Sequence, residues 1–552
     1  MSELKINIDG LKTYKKGSTP KKLLLFVLPY FVGKVDALGV KTRSYLAFPY
    51  GPLTIATYVN NNTQTGSKVI INDLNLVEEE ADLVDYVLDI MEKEMPDFIG
   101  FSFMFDTSFS HLQELSQVLK KRYVNIPQIV GGAAATTGAS EILSELKTLD
   151  AVCYSEGELS IKNLLDAEDP WIEFTKDPWV THMSIQKKPN AVYVDSLDAV
   201  IDLNYDYVDV NSYSMRESFS PFAVYRYEEN VKQFFLVTSR GCPFKCTFCA
   251  EPALHGANMR YASVDSIISH IENLQLKHGL NVLTIYDDQL LIDVPRAKDL
   301  FRRLAKFKLR IEMPNGVTAV FIDDELALLM KEAGVDTIAL AIESGSEYVL
   351  KHIINKPIRI PKLKKVMKSL RTANIFVQGF FVIGMPGELD EHRQETLDLI
   401  RDIDLDWASF SVAGPVRGSQ LYEDAKRNGW LPKEYSVGKF VSNSAVMKIP
   451  GYDNQKIMDA AMEFNIISNF IESRAMRIAD WDTARRLFME VTERANNHAV
   501  AHLYLSIVEE KLGLTSESQK NLKIANDIIS SDNKWKNIFE KFNLTLNEQY
   551  AE

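Results

Sequence analysis

The first 170 residues alternate short apolar runs with longer stretches in which apolar residues recur every three or four positions. Residues 23–28, 68–73, 97–103, 128–131 and 151–154 read as buried strands, and 52–61, 81–94, 108–122 and 140–149 as amphipathic helices. Near-continuous apolar strands separated by helices predict a parallel, doubly wound, Rossmann-like sheet. Small residues follow several strands, at Gly100, at Gly131-Gly132-Ala133-Ala134 and at Gly157. In such sheets ligands lie outside the carboxyl ends of the strands. Residues 170 to 230 are rich in Trp, Tyr, Asp and Pro without a clear period, which predicts a packed connector because the aromatics need burial. Alternation resumes at Gln233 and runs six times, with strands expected at 233–239, 281–286, 309–313, 335–342, 375–383 and 407–411. Six such units predict an α/β partial (β/α)6 barrel with its chemistry at the carboxyl ends of the strands.

From about residue 430 the strand pattern vanishes and an all-α carboxyl-terminal domain is expected. Residues 480–494 and 499–512 resemble a tetratricopeptide-type helical pair, over at most one and a half repeats. The expected domains are thus 1–170, a connector 171–232, a barrel 233–428 and a helical domain 429–552. The 62 Lys and Arg against 75 Asp and Glu give a net charge of −13. That balance, with no basic tail and no basic patch seen in the sequence, disfavours nucleic acid as a partner. The polar start, 1–18, lacks an apolar core and a cleavage site, so no secretory signal is read. The longest apolar run, 23–33, contains Pro29 and is shorter than the roughly 20 residues of a membrane span. A cytoplasmic protein without a membrane span is expected.

Four cysteines occur, Cys153, Cys242, Cys246 and Cys249, three of them within eight residues. No disulfide framework needs that clustering. Ser239-Arg-Gly-Cys242-Pro-Phe-Lys-Cys246-Thr-Phe-Cys249 places three thiolates on the loop after a barrel strand. Three thiolates can hold an iron–sulfur cluster with one iron left open; His255 as a fourth ligand would make a zinc site instead. Cys153, in an apolar strand, reads as a small core residue. The i, i+4 pair His498 and His502 has no acidic partner motif and reads as helix packing.

The cysteine string, with Phe248 before its third thiol, resembles that of the radical S-adenosylmethionine (SAM) superfamily, and the resemblance covers residues 233–425. It implies that Cys242, Cys246 and Cys249 ligate a [4Fe–4S] cluster whose open iron chelates SAM. Reductive cleavage of SAM would then give a 5′-deoxyadenosyl radical that abstracts hydrogen. Later strand ends resemble the family too: Tyr286-Asp287-Asp288-Gln289, Asn315, Ala341-Ile-Glu343-Ser344-Gly345-Ser346, Lys356, and Phe380-Phe-Val382-Ile-Gly384-Met-Pro-Gly387-Glu388. SAM contacts are therefore implied at Phe248, Asp287, Asp288, Asn315, Glu343, Ser344, Val382 and Gly384.

The amino-terminal third resembles the cobalamin-binding domain that precedes the barrel in one branch of the superfamily. The matching pieces are Tyr50-Gly-Pro-Leu53, Asp73, Gly131-Gly132-Ala133 and Ser155-Glu156-Gly157-Glu158. Cobalamin contacts are implied at Ser102, Gly131, Gly132, Glu156 and Gly157, with Phe103 and Met104 beside them. The motif Asp-x-His-x-x-Gly is not present; the histidines before the barrel are His111 and His182, which implies that no histidine binds cobalt. The resemblance implies a methyltransferase acting on an unactivated carbon of a small molecule, with an electron donor such as flavodoxin or ferredoxin. A cyclase or rearrangement enzyme, and a non-catalytic cluster- or corrin-binding sensor, remain as alternatives. A methylthiotransferase would need three further cysteines. Neither the substrate nor a catalytic side chain is read from the sequence.

Overall fold

In a computed structural model of the chain, residues 19–30, 48–78, 81–213, 230–438 and 445–546 are described. The polar start 1–18, the end of the long apolar run, the connector residues 214–229 and parts of the helical region, 439–444 and 547–552, lie outside the described residues.

Strands β1 (Lys22–Val27), β2 (Lys68–Asp73), β3 (Phe98–Ser102), β4 (Gln128–Gly131) and β5 (Ala151–Cys153) form within two residues of their expected bounds. All pair in parallel, in the order β2-β1-β3-β4-β5. Helices Tyr50–Asn62 and Glu158–Asp166 bury Ala56, Val59, Ile161 and Leu164 on one face. Leu83–Glu94, Phe109–Arg122 and Ala139–Glu145 bury Val87, Met91, Leu112 and Ile142 on the other. Burial on both faces explains why these strands are apolar throughout rather than alternating. The chain steps from β1 to β2 on one side and returns to β3 on the other, and a crevice opens where the order reverses.

Two readings change here. The helix expected over 140–149 is shorter, Ala139–Glu145, and a further short helix not expected from the sequence, Ala133–Thr137, precedes it across Gly138. A sixth strand, β6 (Trp179–Val180), pairs antiparallel to β5 and carries the sheet past residue 170. Two residues are too few to show a period. Beyond it the connector packs against the barrel: Tyr205 is buried with its ring edge on Phe48 and Phe234, at 5.2 and 5.0 Å between centroids.

The barrel strands are β7 (Gln233–Leu236), then β8 (Ser239–Arg240) and β9 (Arg260–Tyr261), which pair antiparallel with each other, then β10 (Val282–Ile285), β11 (Arg310–Glu312), β12 (Thr337–Glu343), β13 (Phe376–Ile383) and β14 (Trp407–Val412). Parallel sheets β7-β10-β11 and β12-β13-β14 make an arc of six, joined between β11 and β12 by one bridge, Val317 to Leu340. The strand expected over 233–239 breaks after Leu236 because the Asp287 carboxylate takes the Thr238 N–H at 2.5 Å. The cysteine loop therefore runs between β8 and β9.

Among the described residues no strand follows β14. The helical region packs Phe470, Leu487, Phe488, Leu503 and Trp535 into its own core and docks on β14, the arc's edge. There Asn469 accepts from Ala408 N at 2.8 Å and donates to Ala408 O at 2.7 Å, completing the strand as a neighbour would. The tetratricopeptide-like pair appears as Trp481–Arg494 and Ala499–Lys511, continued by Thr515–Ser531 and Asn533–Lys541. No helix among the described residues is long and apolar enough to cross a membrane.

His498 caps the second helix of that pair, its Nδ1 accepting from Ala501 N at 3.0 Å, and stacks on Phe470 and near Trp535. His502 is held by Asn521 and Asn496, so the pair is structural. Burial pulls the His498 imidazole down to about 3. An unfolded imidazole titrates near 6.5, so below that pH the unfolded state gains a proton that the folded state refuses. Stability from this group is present above about pH 6.5 and lost as the pH falls, by about 2 kcal/mol between pH 7 and pH 5. His498→Asn keeps the cap acceptor and should flatten this loss in the urea midpoint of the helical transition. Equal pH dependence in the two proteins would refute it.

Candidate functional site

The cysteine loop is fixed by its backbone. Cys242 N donates to Gly256 O at 3.1 Å, Cys249 N to Cys246 O at 3.1 Å, and Thr247 N to Ile354 O at 2.9 Å. All three thiols are free. Burial raises each, Cys246 to about 11 and Cys249 to about 12, and Cys242 in the same direction. A metal centre binding there displaces the thiol protons and takes the thiolates as ligands. A lone zinc would draw its sulfurs to about 3.8 Å apart at Zn–S of about 2.3 Å. Among the described residues, the ligand atoms converging within 4.8 Å belong instead to Glu251, His255 and Asp288. His255 points its Nδ1 at Glu156, 2.7 Å away. The zinc alternative, with His255 as fourth ligand, is not what the geometry supports.

Polar groups from other strand ends converge on the loop. Asp288, Glu251 and Gln289 stand beside Cys242, and Glu343 and Lys356 beside Cys246. Glu343 ends β12 at a bulge with φ +69°, a left-handed conformation uncommon outside glycine. Its Oε1 accepts from the buried Lys356 Nζ at 2.9 Å. Burial and then the neighbouring Glu251 push the Asp288 carboxyl up to about 8, so an arriving cation would find a proton to displace.

Phe248 and Val382 pack in one apolar cluster with Met385 and Ala413. Gly384 N donates to Glu388 Oε2 at 2.5 Å, Asn315 Nδ2 to Tyr286 O at 2.9 Å, and Ser346 N to Ser344 Oγ at 3.1 Å. Asp287 differs from the reading that grouped it with Asp288. Its carboxylate is consumed by Thr238 N, Thr238 Oγ1 and Ser239 Oγ at 2.5 to 2.6 Å, so it anchors the β7 end and does not face the cysteines.

A cavity of about 290 Å³ lies where the first sheet's crevice meets the barrel mouth. Ser102, Gly131, Gly132, Glu156 and Gly157 all line it, with Met104. Phe103 instead is fully buried in the helix-side core. An apolar arm runs inward between Leu23, Leu25, Ile55, Ile129 and Ile161, and Arg240, His255, Tyr286 and Asp288 form the barrel side. Gly132 has φ +110°, and a Cβ there would lie 2.6 Å from Phe103 O, so only glycine fits this turn. A Cβ on Gly157 would meet Ile55 Cδ1 at 2.7 Å and narrow the arm.

Charge locks the two sides together. Arg240, buried, reaches Glu156 and Glu158 at 2.9 Å each, and Arg260 Nη1 donates to Glu156 Oε2 at 2.9 Å. Burial would raise the Glu156 carboxyl, but Arg240, Arg260 and His255 outweigh it and hold it well below the usual carboxylate range.

Comparison with known proteins agrees with this layout. The radical SAM superfamily profile matches residues 236–400 and the B12 binding domain profile residues 38–165. The chain carries a B12-binding domain followed by a radical SAM domain. The chain is 28% identical over 426 residues to cytidylyl-2-hydroxyethylphosphonate methyltransferase of Streptomyces wedmorensis, covering 71% of this chain and 78% of that one. It is 23% identical over 471 residues to the anaerobic magnesium-protoporphyrin IX monomethyl ester cyclase of Cereibacter sphaeroides, covering 83% and 72%. The solved cobalamin-dependent SAM radical enzyme OxsB, with aqua-cobalamin bound, matches at TM-score 0.61 and 15% identity, covering 97% of this chain and 83% of that one.

Cobalamin, SAM and the cluster of the three-cysteine motif are the cofactors of this domain pair. The B12-binding domain supplies Glu156 and Glu158 to the radical SAM domain's Arg240, a contact the sequence reading missed although both strings were in view. Glu156→Gln leaves the buried Arg240 and the half-buried Arg260 short of one anion and should destabilise the protein by about 3 kcal/mol in urea unfolding. A change below about 1 kcal/mol would show that the network is not structural.

Proposed function

We propose that the chain is a cobalamin-dependent radical SAM methyltransferase that methylates an unactivated carbon of a small molecule. The observation carrying this is that one cavity is walled by both domains: Arg240, His255, Tyr286 and Asp288 of the radical SAM domain face Ser102, Gly131, Gly132, Glu156 and Gly157 of the B12-binding domain across it. When bound, the cluster with SAM supplies a hydrogen-abstracting radical and cobalamin supplies a transferable methyl group. Cys242, Cys246 and Cys249 hold the cluster. Asp288 rather than Asp287 takes the SAM ammonium, surrendering its carboxyl proton as the cation arrives, while Glu343, Ser344 and Asn315 bind the ribose and methionyl groups. Phe248, Val382 and Gly384 pack about the adenine. On the other side the apolar walls Leu23, Leu25, Ile55, Ile129 and Ile161 take the nucleotide tail of cobalamin, with Ser102, Gly131, Gly132, Glu156 and Gly157 around it. No histidine of the B12-binding domain lines this cavity.

The chain's own work is thus to hold two reactive groups to one substrate and to exclude water. The proposal extends to a cytoplasmic setting and a one-electron protein donor. The resemblance to the cyclase favours a second reading, ring formation with no carbon added. Anaerobic reconstitution with methyl-labelled SAM separates them: the first predicts a labelled product heavier by one methyl group, the second an unlabelled one. Cys246→Ala should abolish bound iron while sparing cobalt, and Ile161→Trp should lower cobalt at least tenfold while sparing iron. Loss of both metals together in either variant would overturn the two-site assignment.

A further inference from the structure

The acidic net charge hides a basic surface, correcting the expectation that no such patch exists. Residues 351–372 contain eight Lys or Arg and no Asp or Glu. Three are spoken for: Lys356 pairs with Glu343, Lys364 with Asp402 and Arg371 with Asp406. The other five, Lys351, Arg359, Lys362, Lys365 and Lys368, are exposed and have no carboxylate partner among the described residues. Lys351 and Arg359 line an open groove of about 920 Å³ with Phe244 and the exposed Lys245, both inside the cysteine string; Glu347 is its one acidic residue.

This surface is bolted to the loop that carries the thiols. Thr247 N and Oγ1 donate to Ile354 O and Ile353 O at 2.9 Å each, and Asn355 Nδ2 donates to Lys245 O at 3.2 Å. The π-helical turn Val349–Ile354 and the segment after it thus hold Lys351 and Arg359 in one groove with Lys245, next to the partly exposed Cys246, and the helix Ile360–Thr372 continues the run of exposed cations. On the far side of the loop lie the acidic Asp288 and Glu251.

We propose that this groove is the docking site of an acidic one-electron carrier protein that reduces the cluster. The inference rests on the proposed cluster at Cys242, Cys246 and Cys249. Electron transfer falls steeply with distance, so a donor must dock where the loop nears solvent, and the cations are at that place. The carrier is oxidised by one electron and the cluster reduced by one; no atom moves. Charge complementarity would speed encounter and impose salt dependence. A nucleic acid is the poorer fit, because the patch is short and the chain around it repels phosphate.

The test uses the full-length reconstituted protein and its variant Lys351→Glu/Arg359→Glu/Lys362→Glu, with reduced flavodoxin as the probe. Stopped-flow reduction of the cluster by flavodoxin should slow about tenfold or more and lose its salt dependence. Binding of oxidised flavodoxin, read by its flavin fluorescence, should weaken by a similar factor. Reduction by titanium(III) citrate, which needs no docking site, should be unchanged. Flavodoxin rates and binding within twofold of wild type overturn the proposal, as does a variant that loses only binding to single-stranded RNA. Failure of titanium(III) citrate to reduce wild type would instead sink the cluster reading beneath it.

Discussion

A guanidinium sealed between two carboxylates sets the geometry of this molecule. Arg240 is buried, and neither it nor Glu156 and Glu158 could stand alone there, since an unpaired buried charge costs several kcal/mol. Arg240 stands two residues before Cys242, and Glu156 and Glu158 stand at the carboxyl end of the first sheet. The string that presents the thiols is therefore held directly by the domain that lines the other side of the cavity. Ion pairs of this kind are poor sources of net stability but good at fixing register. Here the register is between domains: the placing of the thiol string against the cavity follows from a charged contact rather than from a linker.

Two further contacts repeat the device. Arg417, after β14, reaches Asp106 at 2.6 Å and Glu141 at 2.8 Å in the first domain, and Tyr422 OH donates to the same Glu141 at 2.7 Å. Tyr213 OH donates to Asp73 at 3.0 Å. These lie at different places around the first sheet, so a hinge about any one of them is opposed by the others. The helical region works on the remaining weak point, the edge of the open arc, where Asn469 completes β14. A six-stranded arc without such a cover would leave one row of amides free to pair elsewhere.

Most strands were legible because two-sided burial writes them as solid apolar runs, and the three thiols because their spacing is rare. What escaped was set by direction or by distance in the chain. Asp287 and Asp288 are neighbours in sequence yet face opposite sides of a strand end, one taken up by Thr238 and Ser239, the other turned to Cys242. No period distinguishes them. Trp179–Val180 is too short to register as a strand, and the break after Leu236 depends on a carboxylate some fifty residues away. The five unpaired cations of residues 351–372 are spread over a π-helical turn, a loop and a helix, and a net charge of −13 averages them away.

That averaging bears on how the loop divides its labour. Its inner side meets Asp288, Gln289 and Glu251, groups suited to a cation and to hydrogen bonds, while its outer side carries Lys245 among exposed lysines. A cluster held by three thiolates leaves one iron open, and the inner side offers the carboxyl groups of Asp288 and Glu251 and the more enclosed cavity to receive a small molecule there. The outer side offers nothing to a small cation but does offer charge to a large anion. On the proposed reading, electrons and substrate reach the same centre from opposite faces, and neither must leave for the other to enter. A loop of eight residues can do this because its backbone is tied on one side to β8 and β9 and on the other to the turn at Ile353 and Ile354.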